Sequence, residues 1–177
     1  AAELLYAICR LPGYTGAFVP APGFSEYKEA LDASNIPVRD IFYRPREDDN
    51  GKPYFEVPYL ALETFAAELK GQDGRIIVFL GNPNNPDGTL LDKDHIRTVA
   101  SMLKDANSLL VIDESFIDFV GNDPLQDNEH SMRSLVNEFD NIIVVHSFTK
   151  FYAVPGLRIG AAFANETLIT QLQQYIP

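Results

Sequence analysis

Three segments of the chain place polar side chains directly after an apolar run. The first is 81–88, which reads GNPNNPDG; its two Asn-Pro steps and two glycines hold the backbone in a non-helical path. The second is 113–116, which reads DESF, and the third is 147–150, which reads SFTK and is followed by Arg158. The amine of Lys150 can bond covalently to a carbonyl carbon, and a guanidinium binds phosphate, so these groups together suggest a catalytic site.

Two other motifs share residues with these segments. An apolar run that ends in Asp113 also resembles the Walker B strand of an ATPase, but the chain lacks the Gly-x4-Gly-Lys-Ser/Thr loop that such an enzyme needs. Ser147 and Lys150 match the Ser-x-x-Lys signature of penicillin-binding serine enzymes, but neither Ser-Asp-Asn nor Lys-Thr-Gly occurs in the chain. The acidic stretch 47–51 lacks the ligand spacing of an EF-hand, and we predict a solvated loop over 44–53.

Short apolar runs alternate with helical patterns along the whole chain. The predicted strands are 16–20, 36–43, 76–81, 109–113, 141–146 and 157–164, and the predicted helices are 2–11, 25–34, 59–70, 93–105, 131–138 and 166–175. Several strands are apolar throughout, which indicates burial on both faces. This alternation predicts an α/β fold, a mostly parallel sheet flanked by helices. Because ligands of such sheets bind beyond the carboxyl ends of the strands, the three polar segments are expected to meet there.

Composition excludes several classes of protein. The net charge of the 177 residues is −11, whereas a nucleic-acid-binding protein needs clustered Lys and Arg, and no apolar run is long enough to cross a membrane. The single cysteine, Cys9, allows no internal disulfide, which fits the reducing cytoplasm, and its apolar helical face predicts a core position. His95, His130 and His146 share no ligand spacing, so we predict no metal site, the first two at the surface and His146 beside the site.

The three polar segments together fit the requirements of pyridoxal 5′-phosphate (PLP). This cofactor needs an amine for its aldehyde, an anion near its pyridine nitrogen, a donor to its phenolic oxygen and a cradle for its phosphate. In that order, the groups available are Lys150, Asp113, Asn85, and the pair Ser147 with Arg158. We therefore predict PLP as the cofactor, with Lys150 and Asp113 as the catalytic residues.

The sequence resembles the aspartate-aminotransferase-like superfamily of PLP enzymes over nearly its whole length. The matching runs are Asn85-Pro86-x-Gly88, Asp113-Glu114 and Ser147-x-x-Lys150, with Arg158 eight residues after the lysine. The resemblance implies that 1–177 is part of the large PLP-binding domain, without the N-terminal arm and the C-terminal small domain of such enzymes. It also implies a homodimer in the full-length protein.

The resemblance adds further cofactor-binding residues to those chosen for their chemistry. Ser147 and Arg158 would hold the cofactor phosphate, joined by backbone N–H groups at the helix start near Ala1 and Ala2. Phe24 matches the aromatic residue that stacks on the cofactor ring. These residues complete the predicted site.

Within this superfamily, the runs 113–119 (DESFIDF) and 149–158 (TKFYAVPGLR) look most like threonine-phosphate decarboxylase, which makes aminopropanol phosphate for cobalamin biosynthesis. Histidinol-phosphate aminotransferase, a near relative, usually has a tyrosine where this chain has Phe116. The resemblance thus implies a phosphorylated amino acid as substrate. Two alternatives stay open: a histidinol-phosphate-type aminotransferase, and a non-catalytic module that keeps the PLP fold for binding or regulation.

Overall fold

The computed structural model of the chain describes residues 2–71, 73–121 and 128–176. Its α-helices and strands, in chain order, are α1 (Ala2–Cys9), β1 (Tyr14–Ala21), α2 (Glu26–Ala33), β2 (Val38–Phe42), β3 (Arg44–Glu47), β4 (Pro53–Glu56), α3 (Tyr59–Leu69), β5 (Arg75–Gly81), α4 (Lys93–Asp105), β6 (Leu109–Asp113), β7 (Ile142–Ser147), α5 (Phe148–Phe151), β8 (Gly160–Phe163) and α6 (Glu166–Gln173). Short 3₁₀ turns lie at Ile117–Phe119, Arg133–Asn137 and Pro155–Leu157.

One sheet organises the chain, with the strand order β2-β1-β5-β6-β7-β8. Neighbouring strands are parallel except β7 and β8, which are antiparallel. The register places Gly81 opposite Asp113, and Asp113 opposite Val145. The ends of β5, β6 and β7 therefore lie together at one edge of the sheet. This arrangement confirms the predicted α/β fold with a mostly parallel sheet.

The central strands are buried on both faces. In β5, Ile77 and Phe79 pack with residues of α1, α2 and α6, whereas Ile76, Val78 and Leu80 pack with residues of α3 and α4. Complete burial of a side chain such as Phe79 stabilises the fold by roughly 2–3 kcal/mol. Two-sided burial explains why these strands are apolar throughout rather than alternating.

A β-hairpin replaces part of the predicted loop over 44–53. β3 and β4 pair antiparallel, and their exposed Arg46 and Glu56 form an ion pair with an N···O distance of 2.8 Å. The Asp48 carboxylate accepts hydrogen bonds from Asn50 N and Lys52 N, both at 2.9 Å, which shapes the turn. The loop prediction was wrong here because strands with exposed faces carry no apolar alternation. The turn itself is exposed, as predicted.

Two other predicted elements differ from the structure. The strand predicted over 157–164 begins only at Gly160, because Pro155–Leu157 forms a 3₁₀ turn and Arg158 has a left-handed backbone with φ of 51°. The helix predicted over 131–138 is a 3₁₀ turn at Arg133–Asn137. In both cases apolar spacing alone did not distinguish a tight turn from a regular element.

Cys9 lies in the core, as predicted, and is 2% exposed. Its burial raises the pKa of the thiol to about 12. Among the described residues, no helix has both the length and the apolar character needed to span a bilayer.

Candidate active site

A small cavity of about 30 Å³ lies beyond the carboxyl ends of β5, β6 and β7. Asn85, Asp113 and Lys150 line it, together with the aromatic rings of Phe24 and Phe116. The remaining lining residues are Tyr27, Pro83 and Ser115. A larger cavity of about 530 Å³ lies beside β2 and α3, but none of the predicted site residues lines it. The fold thus brings together the amine, the carboxylate and the amide that three separate segments supply.

Asp113 is the last residue of β6 and is 6% exposed. The Tyr27 hydroxyl donates a hydrogen bond to its Oδ2 at 3.1 Å, and Ser115 N donates to its Oδ1 at 2.9 Å. Burial, followed by the Asp113 charge, raises the pKa of Tyr27 well above its usual value, so the hydroxyl remains a donor. Two donors therefore fix the orientation of a carboxylate at the floor of the cavity.

Tyr27 itself is held by aromatic packing in the core. Its ring stacks on Phe79 with centroids 5.2 Å apart, and it forms a T-shaped contact with Phe24 with centroids 5.6 Å apart. Tyr27 was not among the predicted site residues, because a tyrosine on the apolar face of α2 is typical of an ordinary core side chain. Its partner Asp113 is 86 positions away in the chain, so no local pattern links the two.

The loop after β5 carries Asn85 into the cavity. Asn84, which is 3% exposed, donates from Nδ2 to the carbonyl of Pro22 at 3.0 Å and to Asp87 Oδ2 at 2.6 Å. The loop that holds Asn85 is thereby tied to the loop that leads to Phe24. A Cβ on Gly81 would lie 2.8 Å from Asn84 Cα, so the close return of this loop requires glycine.

Lys150 is in α5, the short helix that follows β7 directly. Its side chain is exposed, and its Nζ lies 4.9 Å from the centroid of the Phe116 ring. A cation over an aromatic face is attracted by the ring quadrupole, so Phe116 restricts where the amine can lie. Lys150 and Phe116 thus form one wall of the cavity, with Phe24 at another part of its lining.

The predicted phosphate-binding residues lie at the same edge of the sheet but do not line the cavity. Ser147 is 2% exposed, and its hydroxyl is 2.9 Å from that of Thr149. Arg158 is exposed and lies two residues before Gly160, which the register places opposite Ser147. Ala2 is the first residue of α1, the helix that precedes β1. Ala1 lies outside the described residues. The phosphate-binding roles stay predictions.

A second buried carboxylate, Glu114, was not predicted as a functional or structural centre. It is fully buried and accepts hydrogen bonds from Met132 N, from Ser131 Oγ at 2.7 Å and from Asn82 Nδ2 at 3.2 Å. Burial raises its pKa, although these donors oppose the rise. Since Asn82 also donates to the carbonyl of His130, the network ties the segment 128–133 to the end of β5.

The histidines are placed as predicted. His95 is exposed on α4, and the side chain of His130 is 42% exposed. His146 is the residue before Ser147 and is 2% exposed. Its Nε2 lies 3.0 Å from Asp118 Oδ2. Within the described ranges, no group of three or more His, Cys, Asp or Glu is arranged to hold a metal ion.

The cavity residues fit PLP by the chemistry of their donor set. Lys150 offers an amine for the aldehyde, and Asp113 offers a buried anion for the pyridine nitrogen. Asn85 offers an amide donor for the phenolic oxygen, and Phe24 offers an aromatic face. All four side chains line one cavity. A single PLP ring can contact all four groups only if they lie together in this way.

Comparison with known proteins supports this assignment. The chain is 32% identical over 178 residues to the adenosylcobalamin biosynthesis bifunctional protein CobDQ of Leptospira interrogans, covering 100% of this chain and 18% of that protein. It is 34% identical over 149 residues to the threonine-phosphate decarboxylase of Salmonella typhimurium, which covers 81% of this chain and 35% of that protein. It is 31% identical over 156 residues to the histidinol-phosphate aminotransferase of Thermoanaerobacter pseudethanolicus, which covers 86% of this chain and 37% of that protein. The chain spans less than half the length of each of these relatives.

Solved structures share the fold. The histidinol-phosphate aminotransferase of Clostridium acetobutylicum matches with a TM-score of 0.75 and 22% identity, covering 98% of this chain and 46% of that one. Cystalysin of Treponema denticola, which contains PLP, matches with a TM-score of 0.74 and 15% identity, covering 98% and 42%. The family model for aminotransferase class I and II matches residues 1–177, and its members use the predicted cofactor. The chain belongs to the PLP-dependent aminotransferase class I and II family.

Proposed function

We propose that this chain is the cofactor-binding part of a threonine-phosphate decarboxylase, which gives aminopropanol phosphate for cobalamin biosynthesis. The observation that carries an enzymatic role is the single cavity lined by Lys150, Asp113 and Asn85. Two relatives support the decarboxylase assignment, one named for adenosylcobalamin biosynthesis and one for threonine-phosphate decarboxylation. Phe116, in place of the tyrosine usual in histidinol-phosphate aminotransferases, favours the same assignment.

In this proposal each cavity residue has a defined task. PLP, when bound, withdraws electrons from the Cα of the amino acid that it carries. Asp113, held by Tyr27, keeps a proton on the pyridine nitrogen, because a buried carboxylate stabilises the cation beside it. Asn85 donates a hydrogen bond to the phenolic oxygen, and Phe24 packs on the ring face. Lys150 Nζ would anchor the cofactor and would supply the proton that Cα takes up in place of the lost carboxylate.

Histidinol-phosphate-type transamination is the second candidate function. The relative in Thermoanaerobacter pseudethanolicus favours it at 31% identity, close to the value for the decarboxylase relative. In that reaction Lys150 Nζ removes the proton from Cα instead of delivering one there. The same cavity residues serve both reactions. Which bond of Cα breaks, the one to the carboxylate or the one to hydrogen, therefore depends on how the substrate's carboxylate and phosphate are bound.

A non-catalytic PLP-fold module is the candidate of a different class. A module without catalysis need not keep an amine, a carboxylate and an amide together in one cavity, and this chain keeps all three. We therefore favour the enzyme. We also propose that the full-length protein acts as a homodimer, as the resemblance implies.

The test uses the full-length protein with O-phosphothreonine and PLP, but without an oxo-acid acceptor. We expect steady CO2 release over many turnovers. Absence of CO2, with amino-group transfer to an added oxo acid when histidinol phosphate replaces O-phosphothreonine, contradicts the decarboxylase proposal and supports the aminotransferase. Failure of both reactions, with PLP bound at Lys150, supports the binding module.

A further inference from the structure

Beyond the residues that line the cavity, a buried histidine–aspartate pair joins two of the segments that form its wall. His146 lies on β7, and Asp118 lies in the 3₁₀ turn Ile117–Phe119 after β6. Their side chains are 3% and 12% exposed, with 3.0 Å between Nε2 and Oδ2. Neither residue lines the cavity, so the proposed reaction gives the pair no direct task.

The surroundings of His146 define its protonation. Its buried Nδ1 makes no hydrogen bond to the described residues, whereas Nε2 faces a carboxylate. The charged groups that act on the imidazole are Asp118, Arg133 and Asp113. Burial is the largest influence and lowers the pKa of His146, against the opposite effect of Asp118. The hydrogen bond to the Asp118 carboxylate requires a proton on Nε2, from which the imidazole donates.

The His146–Asp118 pair lies just beyond the last backbone hydrogen bond between the two segments. Glu114 N donates to the carbonyl of Val145 at 2.7 Å, at the end of the ladder between β6 and β7. After this point, the described residues show no backbone hydrogen bond between 115–120 and 146–158. Beyond this point the two segments are connected by side chains. Among the described residues, the hydrogen bond between His146 and Asp118 is the polar contact between them.

Two contacts of aromatic rings connect the residues around Asp118 to α5. Phe116 comes directly before the turn that contains Asp118, and its ring centroid lies 4.9 Å from Lys150 Nζ. Phe119 comes directly after Asp118, and its ring meets that of Phe151 edge-on with centroids 5.2 Å apart. Lys150 and Phe151 both belong to α5, which starts two residues after His146.

We propose that His146 and Asp118 are positioning residues that hold the turn at Ile117–Phe119 against α5, so that Phe116 orients the Lys150 amine. The inference rests on the proposed function, because Lys150 matters as an anchor only if PLP binds there. Neither residue touches the reacting atoms. Their effect passes through Phe116, whose ring restricts the position of Nζ.

The test compares the rate at which PLP labels Lys150 in the full-length protein, fixed with borohydride at timed intervals and read by peptide mapping. For His146→Leu we expect a rate about tenfold lower, equivalent to about 1.4 kcal/mol, because Asp118 loses its donor. His146→Gln restores the rate to within about twofold, because its amide nitrogen can replace Nε2 as the donor. His95→Leu, on the exposed face of α4, is the matched control and leaves the rate unchanged.

Several outcomes overturn the inference. A wild-type rate in His146→Leu does so, and so does an equal loss in the Leu and Gln variants, which indicates packing rather than hydrogen bonding. If His146→Leu fails to fold, Asp118→Ala replaces it, with the same expected loss and the same contradiction if the rate is unchanged. Absence of Lys150 labelling in the wild type overturns the proposed function instead, so the two failures are distinguishable.

A measurement without cofactor tests the pair directly. The ¹⁵N NMR signals of histidine rings report the tautomer, and the signal of His146 is the one missing in His146→Gln. We expect a neutral ring with its proton on Nε2 at pH 7. A ring whose Nε2 carries no proton contradicts the inference.

Discussion

The Tyr27 hydroxyl donates a hydrogen bond to Asp113 Oδ2 across 3.1 Å, inside the core and beneath the cavity. This bond connects α2 to the end of β6, so the helix that follows Phe24 also fixes the carboxylate. Phe24 and Asp113, the ring and the carboxylate proposed to hold PLP, are thereby connected to each other through Tyr27. The relationship explains how a carboxylate keeps its orientation at a largely buried strand end.

Tyr27→Phe removes this donor while keeping the ring. We expect a roughly tenfold weaker affinity for PLP and a loss of about 1–2 kcal/mol in the free energy of unfolding, because Ser115 N is then the one donor to Asp113 among the described residues. Spectrophotometric titration with PLP and urea denaturation measure the two effects. Tyr54→Phe, at a residue 50% exposed on β4, is the control. Unchanged PLP affinity in Tyr27→Phe contradicts the prediction.

The same tyrosine predicts a pH dependence of stability. Its pKa is raised in the folded state above the ordinary value of 10.0, mainly by burial. The unfolded chain therefore loses this proton first, and the contribution of Tyr27 to stability declines as the pH rises above 10. Urea denaturation across the alkaline range should show a shallower decline in Tyr27→Phe than in the wild type. Parallel curves would be inconsistent with this account.

Glu114→Ala removes the acceptor of three hydrogen bonds, which come from Met132 N, Ser131 Oγ and Asn82 Nδ2. Asn82 Nδ2 keeps its bond to the carbonyl of His130. We expect the free energy of unfolding to fall by about 3 kcal/mol, which urea denaturation measures. Glu129→Ala, at a side chain that is 88% exposed, is the control and should change stability by less than about 0.5 kcal/mol. Equal effects of the two substitutions would contradict the structural role of Glu114.

Gly81→Ala places a Cβ 2.8 Å from Asn84 Cα, closer than real contacts allow. The backbone of the loop that carries Asn85 must shift, so we expect a loss of about 1–3 kcal/mol in stability together with weaker PLP binding. Thermal denaturation and PLP titration measure these effects. In Gly16→Ala the new Cβ would lie 3.6 Å from Ile76, an ordinary contact, so this control should be milder. Full PLP affinity in Gly81→Ala would show that the loop does not position Asn85.

Phe116→Tyr introduces a hydroxyl into the lining of the cavity beside Lys150. A phenol donor near the cofactor's phenolic oxygen stabilises its negative charge, so the cofactor absorbance should titrate at a lower pH in the variant. Absorbance spectra across a pH series measure the midpoint. Phe42→Tyr, at a residue 71% exposed on β2, is the control. Identical titration curves for Phe116→Tyr and the wild type would refute the prediction.

The parts that the sequence predicted share a local signal. Asp113 and Lys150 each follow an apolar strand within a few residues, and Asn85 lies in a loop with two Asn-Pro steps. Parallel strands with aligned ends then bring them together, as the register confirms. Both the residue types and the edge of the sheet were therefore predictable.

The parts that the sequence did not predict depend on contacts between distant residues or on exposed backbone. Tyr27 and Glu114 look like a core tyrosine and a surface glutamate until the fold supplies their partners 86 and 17–32 positions away. The hairpin of β3 and β4 has almost no buried side chain, so apolar periodicity could not reveal it.

Covalent attachment of PLP to Lys150 is the central claim, and peptide mapping tests it most directly. The full-length protein is incubated with PLP, reduced with borohydride and digested, and the modified lysines are identified by mass spectrometry. We expect the label to concentrate on Lys150 and to disappear in Lys150→Arg, whereas Lys104→Arg, at an exposed side chain of α4, retains it. Label spread over surface lysines with no preference for Lys150 would contradict the proposed site.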